Sequence, residues 1–349
     1  VLFLNGADGW LGRSIIDLLA ESNIANLIFD YLVLQTLNPD FSLTPKETKK
    51  LASKKIKIKY VYGCMTKNSL PKKINNLVLE FFVNYDVYVI HTASIIHPQR
   101  ETQFKEINFL GLKKIYESFD CNRLKKFTYI SSNSPFGFNN FSEFDENTFY
   151  NPKGGYGDSK RLAEQYLLGV KDSKEKITIL RAPWFHGKNM PSRQKSFLKK
   201  VIKGNFPIVD KGKNKRSIVN THDLAQAALN VTFKDRKSNI YWICDEKAYS
   251  MYEMIKIIQL SYITISGKPL PKNYKAKFIN LPKGFSSLFC LLDLSLQKIG
   301  KYNTLIHVLG ELGQNIFCSS KRYRNEFNSH QWNNLPDSVE KEILEILEN

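Results

Sequence analysis

Residues 1–12, which read VLFLNGADGWLG, carry the strongest structural signal in the chain. Four apolar residues come first and predict a short, buried parallel strand, and a helical pattern follows over 13–21. Between them, Gly6 permits a sharp turn, Gly9 lets an anion approach the backbone, and Gly12 lets the helix pack closely. The amino end of that helix offers N–H groups and a positive dipole end to a pyrophosphate. The turn therefore predicts a dinucleotide-binding site, to which we assign Gly6, Gly9, Trp10, Leu11 and Gly12.

Strand and helix patterns alternate beyond this turn. The further strand patterns lie at 31–35, 57–62, 86–91, 126–130 and 177–181, and helical patterns between them include 104–118 and 157–168. Such alternation is typical of a parallel sheet that is covered by helices on both faces. We therefore predict an α/β fold, a Rossmann-type doubly wound parallel sheet.

The alternation weakens after Arg181, where prolines become frequent. Helical patterns at 254–260 and 285–299 show no strand pattern between them. We predict a smaller, interleaved C-terminal substrate lobe made of 181–213 plus 249–349. Residues 1–180 plus 214–248 would form the NAD(P)-binding Rossmann domain.

The most apolar run, Phe285–Leu296, contains Asp293 and is too short to span a bilayer. We predict that it forms a buried helix of the second lobe. Contact with a membrane surface is the alternative that its composition leaves open.

The end of the second strand bears on the choice between NAD and NADP. Proteins that bind NAD usually place an acidic residue there, against the adenosine ribose. A strand over 31–35 puts Gln35 at that position, whereas a strand over 26–30 would put Asp30 there. We favour Gln35, because the second register would leave the apolar residues 32–34 in a loop. The cofactor is thus predicted to be NAD or NADP, without a choice between them.

Tyr156 and Lys160 are four residues apart in a helical pattern, so they share one face of the helix. A nearby ammonium group favours the phenolate and lowers the pKa of a phenol from about 10. Such a tyrosine can exchange a proton with an alcohol or carbonyl oxygen. Ser131 and Ser132 end the fifth strand, at the edge where open parallel sheets bind ligands. A hydroxyl there could orient the reacting oxygen.

The composition excludes several classes of protein. The chain has 349 residues, of which 42% are apolar and 24% charged, as in soluble globular proteins. Its formal net charge is +18, but the lysines are scattered, which favours a solvated surface over a nucleic-acid site. The five cysteines are widely spaced and form no CxxC, which favours a reducing compartment without a metal site. We therefore expect a cytoplasmic protein that takes a small-molecule substrate, with no nucleic-acid partner, no integral membrane segment and no metal.

These motifs together resemble the extended short-chain dehydrogenase/reductase family, strongly to about residue 187 and loosely beyond. The resemblance includes the glycine turn, His-Thr-Ala-Ser at 91–94, Asn-Phe-Leu-Gly at 108–111 and Leu-Arg-Ala-Pro-Trp-Phe-His-Gly at 180–187. Ser132, Tyr156 and Lys160 match the catalytic triad of the family. The resemblance implies that Tyr156 is the acid/base for hydride transfer at nicotinamide C4. It also implies that Lys160 lowers the tyrosine's pKa and holds the ribose, while Ser132 hydrogen-bonds the reacting oxygen.

The resemblance assigns further residues to the cofactor. Asn108 would support the active-site backbone, and the segment around Pro183 would contact the nicotinamide end. The cofactor-binding residues beyond the glycine turn are predicted to be Gln35, Cys64, Thr92, Ala93, Ser94, Asn108, Ser131, Tyr156, Lys160 and Pro183. The resemblance also leaves a homodimer open.

Three departures from the family bear on the ligands. Cys64 stands where an aspartate usually contacts adenine. Asn133 and Ser134 stand where sugar-nucleotide dehydratases carry Asp-Glu, which argues against dehydration. Trp184 stands where sugar-nucleotide enzymes often carry an asparagine. With the apolar 285–296 segment, these departures look more like the 3β-hydroxysteroid dehydrogenase and dihydroflavonol-reductase-like branch.

The sequence therefore predicts an NAD(P)-dependent oxidoreductase that acts on the carbinol or carbonyl of a small, fairly apolar substrate. Its pocket would be lined by Trp184, Phe185 and the 285–296 helix. The alternative is a nucleotide-sugar epimerase or reductase, which would use Arg193 and Arg216 on a diphosphate. A non-catalytic dinucleotide-binding regulator would be expected to lack the tyrosine or the lysine of the triad.

Overall fold

The structure is a computed structural model that describes residues 1–21, 29–119, 122–139 and 142–348. Its strands are β1 Leu2–Asn5, β2 Tyr31–Thr36, β3 Lys57–Tyr62, β4 Val87–His91, β5 Leu124–Ser132, β6 Ile177–Ala182, β7 Trp184–His186, β8 Pro207–Val209, β9 Lys215–Arg216, β10 Ile218–Asn220, β11 Ile240–Trp242, β12 Tyr249–Ser250 and β13 Ile279–Leu281. Its α-helices are α1 Trp10–Glu21, α2 Pro45–Ser53, α3 Ser69–Phe81, α4 Leu112–Tyr116, α5 Gly155–Gly169, α6 Ser173–Lys176, α7 Ser192–Ile202, α8 Thr221–Phe233, α9 Met251–Ile265, α10 Phe285–Lys298, α11 Thr304–Glu311, α12 Lys321–Glu326 and α13 Leu335–Leu347. A π-helix over Phe104–Gly111 precedes α4, and 3₁₀ turns occupy Ser134–Phe136 and Asp210–Gly212.

Seven of the thirteen described strands form one parallel sheet in the order β11-β6-β5-β4-β1-β2-β3, and the other six pair in three two-stranded sheets. The order reverses between β1 and β4, because β2 and β3 lie on one side of β1 and the later strands on the other. Ligands of open α/β sheets bind outside the carboxyl ends of the strands at such a switch point. The glycine turn after β1 therefore lies where the fold binds its ligand.

The two faces of the sheet are covered by separate groups of helices, as the alternating sequence predicts. One apolar cluster includes Leu2, Leu4 and residues of α1 and α8, and another includes Phe3, Val33 and residues of α3 and α5. All four residues of β1 are completely or almost completely buried, which explains the uninterrupted apolar run of a parallel strand.

The six predicted strands of the main sheet are confirmed, with ends that move by one or two residues. The strand β2 starts at Tyr31 and pairs Gln35 with Asn5 and Val61, so the favoured register is confirmed. Asp30 precedes this strand, and residues 26–28 of the alternative lie outside the described residues. The seventh strand, β11, was not predicted, since three residues are too few to show a period.

A third apolar cluster holds the later part of the chain together. It joins α7, α9 and α13 through residues such as Val201, Ile255 and Ile343. The expectation of no strand between the helices at 254–260 and 285–299 is wrong, because β13 pairs there with β8. The paired strands are three residues long, and one of them includes Pro207, which has no N–H to donate. The sequence pattern therefore gives little indication of these strands. The predicted division into two lobes agrees with a separate cluster, while its boundaries stay a prediction.

The prediction of a buried 285–296 helix is wrong. The segment is helical as α10, but Leu288, Leu291 and Leu292 are 57%, 65% and 45% exposed. The buried side chains of α10 are Ser286 and Asp293, which are polar. These three leucines therefore point outward, which periodicity alone cannot reveal, whereas the other apolar residues of the helix are half-buried. No described helix has the length and hydropathy needed to cross a membrane, and the described residues contain no cluster of metal ligands.

Candidate active site

The glycine turn closes directly against the end of β4. Gly6 has a φ of +84°, in the region that favours glycine. A Cβ at Gly6 would lie 2.7 Å from the Ala93 nitrogen, and the Thr92 hydroxyl donates to the carbonyls of Asn5 (2.9 Å) and Gly6 (3.1 Å). Gly9 donates to the Gly6 carbonyl at 3.1 Å, just before α1 begins. The backbone at the start of α1 is thus held in place without side chains in front of it, as the binding of a pyrophosphate requires. We call this turn, residues 6–12, the glycine cradle.

Replacing Gly6 with alanine is expected to weaken NAD binding by at least about tenfold, because strain of about 1–3 kcal/mol accompanies a non-glycine residue held at such a φ. The new Cβ would also push the turn away from β4. Isothermal titration with NAD measures the effect. Gly169→Ala is the matched control, since a Cβ there meets nothing within 4 Å. Equal affinities for the two variants would contradict the assigned cradle.

Gln35 ties three strand ends together. It is 2% exposed, its Nε2 donates to the Gly63 carbonyl at 2.8 Å, and its Oε1 accepts from Asn5 Nδ2 at 2.6 Å. Cys64 follows on the next strand end, with its Sγ 3.1 Å from the Thr66 hydroxyl. Both residues lie at the carboxyl edge as predicted, but the amide of Gln35 is already bonded within the protein. Contact of Gln35 with the ribose stays a prediction.

Asn108 joins the loop after β4 to the helix that carries Tyr156. Its Oδ1 accepts from the Ile95 nitrogen (2.8 Å) and the Ser94 hydroxyl (3.1 Å), and its Nδ2 donates to the Ile95 carbonyl (3.0 Å) and the Ser159 hydroxyl (3.2 Å). Ser159 in turn donates to the Tyr156 carbonyl at 2.8 Å. Asn108 lies on the π-helix, a conformation that is frequent at functional sites. The predicted supporting position of Asn108 therefore has a concrete geometry.

Tyr156, Ser132 and Ser94 meet at one point behind the cradle. Burial raises the pKa of the Tyr156 phenol above its usual value, and the hydroxyls of Ser132 and Ser94 oppose that rise. Ser132 itself lies 3.2 Å from the Ser134 hydroxyl. The sequence placed Ser94 only along the cofactor, whereas the structure sets it beside the phenol as well.

Lys160 lies one helical turn from Tyr156, and its lowering of the tyrosine's pKa stays a prediction. Its Nζ donates to the Ile130 carbonyl at 3.0 Å and lies 5.9 Å from the centroid of the Tyr156 ring. Burial lowers the pKa of Lys160 to about 7, and the carboxylate of Glu164 opposes that shift. The desolvation of both groups, and not their pairing, dominates their titration here. A ligand hydroxyl that reached Lys160 would change this balance.

Glu164 is a buried centre of hydrogen bonds that the sequence analysis missed. It is 0% exposed and accepts from the Ser131 hydroxyl (2.5 Å), the Tyr150 hydroxyl (2.8 Å) and Arg181 Nη2 (2.8 Å). Ser131 thus turns its side chain away from Tyr156, as alternation along β5 requires. The sequence signal that could have identified Glu164 is its spacing, because it follows Lys160 by one helical turn and so lies on the same face of α5.

The second lobe brings two arginines toward the same region. Arg216 on β9 is buried, donates to the Glu311 carbonyl, and lies 5.7 Å from the centroid of the Trp184 ring. Arg193 is the second residue of α7, and although the residue is exposed overall, its guanidinium group is partly buried. Burial lowers the pKa of both guanidinium groups, and the Glu311 carboxylate opposes the shift in each. The same carboxylate acts on Tyr156, so the cations and the phenol share one electrostatic neighbourhood.

A pocket shared by Trp184, Phe185 and the 285–296 helix stays a prediction. Trp184, Phe185 and Trp10 line a cavity of about 30 Å³, but the described residues around it include none from α10. That volume holds little more than a water molecule. Pro183 is buried between β6 and β7, beside this wall. A larger hollow of about 660 Å³ lies at the amino ends of the strands, around Lys125 and Asp235, away from Tyr156.

Comparison with known proteins agrees with this fold. Residues 2–244 match the family described as NAD dependent epimerase/dehydratase family. An uncharacterized protein of Sinorhizobium fredii is 37% identical over 241 residues, which cover 68% of this chain and 67% of that protein. A putative UDP-glucose 4-epimerase of Methanocaldococcus jannaschii is 27% identical over 276 residues, or 74% of this chain and 81% of its own.

A likeness in fold extends over the whole chain. The structure of dTDP-glucose 4,6-dehydratase from Bacillus anthracis, in complex with NAD, matches with a TM-score of 0.69. It is 15% identical in sequence, and the match covers 100% of this chain and 96% of that chain. The α/β Rossmann-type fold predicted from the sequence is thereby confirmed.

Proposed function

Since the chain belongs to the NAD dependent epimerase/dehydratase family, a family of enzymes, we propose that it is an NAD-dependent epimerase of a sugar carried on a diphosphate. This is the alternative that the sequence left open beside an apolar substrate. The observation that carries it is that Arg193, Arg216 and Tyr156 all lie within electrostatic reach of the Glu311 carboxylate. Two guanidinium groups suit a diphosphate, whose oxygens accept charge-assisted hydrogen bonds.

The residues after β1 and β4 fit a dinucleotide. A side chain at Gly6 would fill the space before Ala93, so the backbone there is open to a phosphate. Bound NAD supplies the acceptor and donor of a hydride. Gln35 carries no negative charge, so this residue does not distinguish NAD from NADP. The family is described as NAD dependent, which favours NAD.

The chain's own residues handle the proton and the oxygen. Tyr156 would take the proton from the reacting hydroxyl and later return it, with Ser132 and Ser94 beside its own oxygen. Ser132 would hold the oxygen of the substrate while it passes between alcohol and ketone. Asn108 keeps the loop of Ser94 and the helix of Tyr156 in register.

The residues next to Ser132 favour epimerisation over dehydration. Loss of water from a sugar needs one group to remove a proton and another to protonate the leaving hydroxyl. Asn133 and Ser134 cannot do so near neutral pH, since an amide and a hydroxyl do not titrate there. Ser134 instead donates its backbone N–H to the Ser132 oxygen at 3.2 Å. We therefore propose that the hydride returns to the substrate without elimination.

A substrate panel tests the proposed function. In separate incubations, the protein and NAD are mixed with UDP-sugars, with dTDP-sugars or with 3β-hydroxysteroids. The products of each incubation are followed by proton NMR. We expect a change in the sugar ring protons that marks an inverted carbinol centre, with no net NADH. Net NADH with the hydroxysteroids alone would replace the proposal with the apolar-substrate hypothesis.

Replacing Arg193 with methionine is expected to raise the KM for the diphosphate-linked sugar about ten- to hundredfold, because one charge-assisted contact contributes about 1.5–3 kcal/mol. The kcat should change less, since the diphosphate is remote from the reacting carbon. Lys199→Met is the matched control, as it removes the same charge from an exposed position of the same helix α7. Steady-state kinetics that show the same KM for both variants would argue against a diphosphate contact.

A further inference from the structure

The helix α10 exposes a row of leucines that an ordinary surface helix would bury, although its phenylalanines, Phe285 and Phe289, are half-buried. Its exposed row begins with Leu288, Leu291 and Leu292, which follow the helical spacing of one face. Its buried side chains are Ser286 and Asp293. Surface helices normally point their apolar stripe toward the core. An apolar row that faces outward over this length indicates a surface that contacts something other than water.

The apolar exposure continues beyond α10 into the segments beside it. Ile299 and Leu305 are each 66% exposed, Leu270 is 58% exposed, and Ile279 is 49% exposed. Seven large exposed apolar side chains therefore fall between residues 270 and 305. Five of them lie on α10 or shortly after it and form what we name the α10 face: Leu288, Leu291, Leu292, Ile299 and Leu305.

The α10 face is embedded in positive charge. The segment 266–310 contains seven lysines, all exposed: Lys268, Lys272, Lys275, Lys277, Lys283, Lys298 and Lys301. Its only acidic residue is Asp293, which is buried and lies 2.8 Å from His307 Nδ1. The exposed charge of this segment is thus entirely cationic. Leucines flanked by lysines are the pattern of segments that lie in the interface of an anionic bilayer.

We propose that the α10 face binds the surface of an anionic lipid bilayer, with its leucines in the headgroup boundary and its lysines against the lipid phosphates. A second copy of the chain fits less well, because a two-fold contact would bring the same lysines face to face. No described helix can span the bilayer, so the contact is interfacial.

This surface borders the helix that carries the proposed acid/base. The Oε1 of Gln297, on α10, accepts a hydrogen bond from the Gly155 nitrogen at 2.7 Å. Gly155 immediately precedes Tyr156. Tyr302, just after α10, packs on Phe104 with ring centroids 5.2 Å apart, and Phe104 packs on Tyr156 at 5.8 Å. Bilayer binding would therefore hold the active site close to the membrane, whatever the substrate is.

Co-sedimentation with vesicles tests the proposal. The full chain is mixed with vesicles of equimolar phosphatidylcholine and phosphatidylglycerol, or of phosphatidylcholine alone. We expect binding to the anionic vesicles that weakens as salt is added. The variant Leu288→Ser/Leu291→Ser/Leu292→Ser should bind at least about tenfold more weakly. Lys298→Gln and Lys301→Gln should each lower the partition coefficient on the order of fivefold.

The control removes as many exposed leucines from elsewhere on the molecule. The variant Leu79→Ser/Leu344→Ser/Leu347→Ser changes side chains that are 56%, 43% and 54% exposed on α3 and α13. It should bind vesicles as the parent does, and circular dichroism should show that both triple variants keep their fold. Failure of the parent to bind anionic vesicles, or equal binding by the α10 variant, overturns the proposal. A dimer that only the α10 variant loses, without vesicle binding, would assign the face to a second copy.

Discussion

Replacing Tyr156 with phenylalanine is expected to lower kcat by about two to four orders of magnitude, because a positioned acid/base contributes about 10²–10⁴-fold. The variant removes one oxygen from a buried position beside Ser132 and Ser94 and leaves the ring and its packing on Phe104. Affinity for NAD should stay within about twofold, since the glycine cradle is untouched. Single-turnover kinetics and isothermal titration measure the two quantities.

The control for this variant removes a hydroxyl from the same helix. Tyr166 also lies on α5, and its hydroxyl donates to Glu117 at 3.1 Å on an exposed side. Tyr166→Phe is therefore expected to keep the parent kcat. If Tyr156→Phe retained the parent kcat as well, the proton would pass through another group and the assignment of Tyr156 would be wrong.

Replacing Glu164 with leucine is expected to lower the free energy of unfolding by about 3–5 kcal/mol, because it leaves a charge buried without its partner. Arg181 Nη2 lies 2.8 Å from Glu164 Oε2, and the two side chains are 3% and 0% exposed. The hydroxyls of Ser131 and Tyr150 would lose their acceptor as well. Urea unfolding followed by circular dichroism measures the loss.

Two further variants test whether the buried pair contributes more to the free energy of unfolding than an exposed ion pair does. Asp158→Asn breaks a pair with Arg161 on the same helix, where the side chains are 46% and 27% exposed, and should cost less than about 1 kcal/mol. Glu164→Leu/Arg181→Met should recover part of the stability, since no buried charge is left unpaired. A loss at Glu164 no larger than that at Asp158 would contradict the account.

Much of the fold and part of the site could be predicted from the sequence. The strand, glycine turn and helix of residues 1–21 specify the cradle, because at each glycine the local backbone leaves no room for a side chain. The spacing of Tyr156 and Lys160 specifies a shared helix face, and Ser132 ends a strand whose carboxyl edge meets the cradle. These are short-range properties, so local periodicity determines them.

The remaining features depend on residues that are far apart in the chain. Arg181 donates a hydrogen bond to Glu164 because α5 packs on β6. The Gly155 nitrogen donates to the side chain of Gln297, which lies 142 residues later on another helix. Tyr156 and Lys160 titrate according to their burial, which no spacing reports.

The sequence by itself determined a dinucleotide fold with a Ser–Tyr–Lys site, since strand, turn and helix patterns are local. Only the tertiary structure decided which apolar residues of α10 are exposed and that Arg193, Arg216 and Tyr156 share the Glu311 carboxylate as a neighbour. The physical reason is that a helical period defines two faces of a helix but does not say which one the rest of the molecule covers.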